Sequence, residues 1–249
     1  MTRIGEKCAM NQVSIDSPYY PYEHVQTGFS RMDGAAEIPT LICRYLMDLP
    51  LPGYTPPDNN DYPRVRLMKR LWYDEANPLS FPVPTPQEKL SMLFDGDNPV
   101  INTDLEQAAH PKGYRIYPLE YWMQSQTIAK ASIKCYIGRE IPLDEYTQEI
   151  GLIFDIYVNA NLETGMGVGG MSKVYAMEKD IVAALHGVNI TGVGTISYNR
   201  LTHADSGSRP YYDESGTNVG RRLSMSVRYS GSQTNAVINT YEEGNSRIF

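Results

Sequence analysis

Cysteine, phenylalanine, tryptophan and histidine are all scarce in this chain. There are 3 Cys, 5 Phe, 2 Trp and 4 His among 249 residues. Cys8, Cys43 and Cys135 are odd in number and far apart, which reads as reduced thiols rather than a disulfide framework. No apolar run is long enough for a membrane span of ~20 residues. The best stretch, Ile38–Leu51, is broken by Arg44, Asp48 and two prolines, so no membrane partner is expected. Met1–Asn11 has charge but no apolar core of a secretory leader, which points to a chain made and used in a cytoplasm. A basic excess is missing as well. With 22 Lys+Arg against 29 Asp+Glu the formal charge is −7, and this argues against nucleic-acid binding as the main task.

The abundant residues are 17 Pro, 20 Gly and 19 Tyr. Tyrosine suits half-buried strands and protein contacts, because its ring packs while its hydroxyl stays wet. Residues 1–28, with Pro18-Tyr19-Tyr20-Pro21-Tyr22, read as an extended N-terminal arm. A helix is expected from Arg31 or Ala35 to Asp48, with Leu41, Tyr45 and Leu49 on its buried face, Pro39 in its first turn and Pro50 as its stop. Residues 50–124 read as a large, mostly irregular insertion, relieved by a helical turn or two at Gln87–Phe94.

The C-terminal half is more regular. Ala129, Ala131, Ile133 and Cys135 alternate with polar residues as in a half-buried strand, and Ile150, Leu152, Phe154, Ile156 and Val158 do so more strongly. A helix follows over Ser172–His186, with Val174, Met177, Ile181, Val182 and Leu185 as its stripe and Gly187 as its left-handed cap. Strands are expected near Val193–Leu201 and over Leu223–Tyr229, and a polar tail over 232–249. The order strand, strand, helix, strand, strand implies an α+β fold, a mainly antiparallel sheet with a packed helix, within one domain at 29–231.

Motifs for chemistry are thin. Gly165, Gly167 and Gly170 spell G-x-G-x-x-G before a helix, but Asn159–Thr164 separate them from the preceding strand, and no acidic residue closes the next one to hold a ribose. The histidines (His24, His110, His186, His203) show no metal-ligand spacing, and Asp95, Asp97 and Asn98 begin a calcium-like loop that has Val100 where glycine belongs. Cys43 and Cys135 read as packed hydrophobes. The acidic pairs Asp104/Glu106 and Asp144/Glu145 read as solvated surface. The basic clusters Arg64, Arg66, Lys69, Arg70 and Arg221, Arg222, Arg228 admit a nucleic-acid reading, but the interleaving of the first with Val65, Leu67, Met68 and Leu71 favours an amphipathic protein-contact segment, and Arg221, Arg222 and Arg228 could equally pair with a neighbour's acidic residues. No catalytic, cofactor-binding or metal-ligating residue is assigned, and no enzyme activity or cofactor is expected.

The succession GLIFDIYVNA, SKVYAMEKDIVAALHGVNITGVGTISYNR and GRRLSMSVRYSG, over residues 125–231, resembles the tail-terminator and neck (head–tail connector) proteins of tailed bacteriophages. The matching pieces are Ala183-Ala184-Leu185-His186-Gly187, Gly192–Arg200 and Arg221–Tyr229, with the 50–124 insertion as the departure. The resemblance implies a structural virion protein, a homo-oligomeric ring, expected to be a hexamer. It would cap the tail tube and join neck/connector and tail-tube proteins, with DNA passing through the lumen without specific binding. The 202–220 loop and the glycine loop are expected to line that lumen or to touch the next ring. The alternatives are a nucleotide- or small-molecule-binding enzyme using Gly165–Gly170, and another virion component such as a tail-tube protein.

Overall fold

The computed structural model describes residues 33–47, 59–75, 77–94, 113–120, 129–143, 147–163, 172–199, 206–212 and 218–230. The arm at 1–28 and the tail at 232–249 lie outside these residues. The fold is α+β: helices pack on one face of a curled, mostly antiparallel sheet.

After a short 3-10 helix at Asp33–Glu37, α1 spans Ile38–Met47. Pro39 sits in its first turn, as expected, but the buried stripe is Ile38, Ile42, Leu46 and Met47 with Cys43. Leu41 and Tyr45, the expected stripe, are half-buried beside it. The face is turned by one position because Ile38 and Ile42, not Tyr45, present the larger aliphatic surface to the sheet.

The region 50–124 is more ordered than its proline content implies. Helix α2 spans Pro63–Trp72 and α3 spans Pro86–Met92. In both, proline takes the first turn, where its missing N–H has no intrahelical acceptor to lose. Val65, Leu67, Met68 and Leu71 enter the main apolar core or its margin, so α2 is a core helix rather than an arm. Strand β1, Ile116–Tyr117, pairs parallel with β2, Ala131–Pro142.

Strand β3, Thr147–Asn159, pairs antiparallel with β2 on one side and with β7, Asn218–Ser230, on the other. Ile150, Leu152, Phe154, Ile156 and Val158 are all fully buried, as the alternation predicts. A bulge between Ile137 and Arg139 displaces β2 by one residue, and a Cβ on Gly138 would stand 2.2 Å from Ile153 Cδ1, so the Ile153 side chain would have to move to admit one. After the short helix α4, Ala160–Glu163, comes α5, Lys173–Leu185. The Ser172 hydroxyl caps α5 by accepting from Tyr175 N–H at 3.4 Å, and the Glu163 carboxylate accepts from Val174 N–H and from the Ser172 hydroxyl. Gly187, at φ 77°, closes it.

The strand expected near Val193–Leu201 is β5, the shorter Gly194–Ser197, and a two-residue strand, β4 at Asn189–Ile190, precedes and pairs with it. Positive φ at Gly192 and Gly194 makes the turn between them. The 202–220 stretch is not simply a loop. Residues Gly207–Tyr212 form β6, which pairs antiparallel with the first half of β7, while β5 occupies the second half of the same edge. Its composition disguised it: Ser208, Arg209 and Pro210 look like loop residues. Alternation nonetheless sends Ser208 to the helix side and Tyr211 to the other face, and Pro210 is tolerated in a strand at the sheet's edge.

Candidate functional site

The face of the sheet opposite the helices is polar, and it is built row by row. Across β2, β3, β7 and β6 the register aligns Ser132, Tyr157, Gly220 and Tyr211, then Lys134, Asp155, Arg222 and Arg209. Asp155 is its centre. Its carboxylate accepts from Arg222 Nε at 2.6 Å and Nη2 at 2.7 Å, a fork geometry, and from the Tyr136 hydroxyl at 3.0 Å. The Arg222 guanidinium lies 4.5 Å from the centre of the Tyr211 ring, and Tyr211 meets Tyr157 edge-on at 5.5 Å. Lys134 Nζ stands 5.2 Å from the Tyr157 ring centre. Burial, followed by the negative charge of Asp155, pushes the Tyr136 and Tyr157 hydroxyls well above their ordinary value, so both remain neutral donors. Hydrogen bonding to Asp155 raises Arg222 in turn. Gly220 makes the layer possible: a Cβ there would sit 2.8 Å from the Tyr211 carbonyl oxygen and 3.1 Å from that of Ile156.

On the helix face, buried carboxylates are clamped by arginines from other elements. Asp180 of α5 accepts from Arg66 Nε at 2.7 Å and Arg70 Nε at 3.0 Å, both on α2. Glu178, one helical edge away, holds Arg221 of β7 and the Ser208 hydroxyl of β6. Arg115 grips Asp74 with two contacts of 2.8 Å and donates to the Leu71 carbonyl at the end of α2. Beside it the Lys173 ammonium donates to the Tyr73 carbonyl at 2.9 Å. Burial lowers Lys173 to about 8, against the pull of Asp74. Burial likewise raises Asp180, with Arg66 and Arg70 opposing it. These arrangements tie α2, α5, β6 and β7 together, and their chemistry is positional.

The basic clusters read from the sequence therefore find their counter-charges within the chain. Arg66 and Arg70 join Asp180, Arg221 joins Glu178 and Arg222 joins Asp155, while Arg64 stacks 4.4 Å over the Tyr45 ring. Of those arginines expected to seek a neighbour, Arg228 alone stays exposed without an ion pair among the described residues. Cys43 of α1 and Cys135 of β2 are both fully buried, and burial, followed by the neighbouring Cys43 thiol, pushes the Cys135 thiol up. His186 caps α5, its Nδ1 accepting from Tyr198 N–H at 3.0 Å. The glycine loop Gly165–Gly170, the acidic pairs Asp104/Glu106 and Asp144/Glu145, the turn Asp95–Asn98, and His24, His110, His203 and Cys8 lie outside the described residues. Among the described residues no three His, Cys, Asp or Glu side chains come together as metal ligands. Sequence reasoning passed over Asp155, Glu178 and Asp180. The available signal was a carboxylate at an interior strand position and another, Asp180, directly before the buried Ile181.

The comparison with family models places this architecture. The YomW family model matches residues 65–227, from within α2 into β7. The chain belongs to the YomW family. The family carries the name of an SPbeta-like phage gene product, and this YomW-family chain is accordingly phage-associated. No curated protein and no solved structure matches it. The matched stretch begins in α2, in the part of the chain that reads as an insertion against the tail-terminator pattern.

Proposed function

We propose that this YomW-family protein is a structural virion component at the head–tail interface of a tailed phage, a tail terminator that closes as a ring, caps the tail tube and joins it to the neck. The observation that carries the reading is the phage family match over residues 65–227. It lies over a strand–strand–helix–strand–strand order, β2, β3, α5, β5 and β7, the order on which the resemblance to that class rests. The interior supports it in kind. Each clamped carboxylate is spent on holding elements in place, as a scaffold that must keep its shape under assembly requires. Subunits would meet as a heterologous ring, which closes only when the rotation between neighbours is fixed.

The β6–β7 pairing bears on the contact surface expected at 202–220. A deletion of 204–218 removes β6, with the Ser208–Glu178–Arg221 cluster, so it should unfold the sheet edge as well as abolish joining. Residues 207–212 are thus part of the sheet and not a free contact loop. The direct test is a phage carrying a stop codon in this gene. Lysates should contain DNA-filled heads and unattached tails of irregular length. Normal particles in those lysates would overturn the assignment, and tails missing altogether would move it to the tail tube.

A further inference from the structure

The acidic charge of the whole chain conceals a basic sheet face. By register, Lys134 and Arg139 of β2, Arg209 of β6, and Arg222 and Arg228 of β7 share the face opposite the helices, and only Asp155 and Glu149 of the described strand residues oppose them there. Five cations against two carboxylates in a chain of −7 is a segregated distribution. Arg139, Arg209 and Arg228 are exposed, and Arg209 and Arg228 have no ion pair among the described residues. Two features sharpen this. Arg209 stands directly opposite Arg222 in the β6–β7 ladder, and like charges in directly paired positions destabilise a hairpin. The Arg222 charge is already met by Asp155 through two short contacts, so Arg209 is the surplus. From Arg222 to Arg228 is six residues, about 20 Å along the strand, and three strand spacings from β2 to β6 add a width of ~14 Å.

We propose that this face binds the phosphodiester backbone of nucleic acid, in the form of duplex DNA and without reading its sequence. About 20 Å of duplex presents roughly 12 phosphate charges, more than enough to engage every exposed arginine on the face. Guanidinium forks suit phosphate oxygens. The rest of the molecule repels phosphate, but screening over ~8–10 Å at physiological salt leaves the local face in control at contact. An acidic chain with one basic face thus holds DNA weakly and in one orientation. This goes beyond the ring assignment and does not require it, since the face is complete within one subunit.

The test uses the full-length protein and a fluorescein-labelled 30-base-pair duplex, followed by anisotropy across a salt series. Wild type should bind at low salt and lose affinity as salt rises. Arg209→Gln with Arg228→Gln should weaken binding at least tenfold and flatten the log–log salt slope by about 1.8, since each phosphate contact contributes about 0.9. Lys179→Glu, on the exposed side of α5, should leave binding unchanged, and circular dichroism shows whether each variant is folded. Absence of binding by wild type, equal binding by the double glutamine variant, or an equal loss with Lys179→Glu would each overturn the proposal. Poly-glutamate competing as well as unlabelled DNA at equal charge would overturn it too, and assign the face to acidic protein. Rings and joining are read by other experiments, so failure here is separable from failure of the head–tail reading.

Discussion

Gly220 and Lys173 show how single positions fix this structure. At Gly220 the backbone of β6 and the Tyr157 ring approach too closely for a side chain. Gly220→Ala should therefore lower stability by about 1–3 kcal/mol, as overpacking does, and a denaturant midpoint will read it. Lys173 acts through charge. Its folded value, about 8, lies below the ordinary lysine value of 10.5, so between those values the unfolded chain holds a proton that the native one lacks. Stability from this group therefore rises with pH from about 8 to 10.5 and is lowest below 8, by about 3 kcal/mol from the shift alone. Tyr136 and Tyr157, raised above 10.0, act oppositely and begin to remove stability only above that pH. Lys173→Met should consequently be more stable than wild type at pH 7, with the difference shrinking between pH 8 and 10. Urea midpoints at three pH values measure it, and a constant difference would show that burial of the ammonium is not its cause.

At the scale of elements, the α2–α5 contact rests on Asp180 between Arg66 and Arg70. Asp180→Asn leaves two guanidinium groups facing a neutral amide. Because the arginine side chains are 26% and 19% exposed, the loss should be about 2 kcal/mol, below the 3–5 of a fully buried broken pair. Thr85→Ala removes the capping box of α3, in which Thr85 accepts from Glu88 N–H and Glu88 accepts from Thr85 N–H at 2.7 Å; about 1 kcal/mol is expected. Elements with one strong periodicity were legible in the sequence. The core side of β3 alternates cleanly, and α5 has a complete stripe with a serine at one end and a glycine at the other. Elements whose order comes from tertiary contact were not. Helix α2 hides behind a proline and arginines whose main partners, Asp180 for Arg66 and Arg70 and Tyr45 for Arg64, come from other elements, and β6 carries loop residues that become a strand only against β7. The polar face was illegible for a further reason: charge summed along the chain says nothing about which residues a register brings to one side.

For the molecule as a whole, membership in a phage family and the α+β scaffold stand together with a charge distribution that is acidic overall and basic on one sheet face. Assembly of the proposed ring should weaken with salt to the degree that charge complementarity between neighbours contributes. Nucleotide offers a contrasting outcome. An enzyme using Gly165–Gly170 would gain thermal stability from ligand by mass action, whereas the structural reading expects no shift of the melting temperature on adding millimolar nucleotide.

The central claim is the closed ring, and negative-stain microscopy of the purified protein, with native mass measured on the same sample, tests it most directly. The account predicts uniform closed rings with a mass near six subunits. Open-ended tubes, or a monomer whose melting temperature rises with nucleotide, would contradict it.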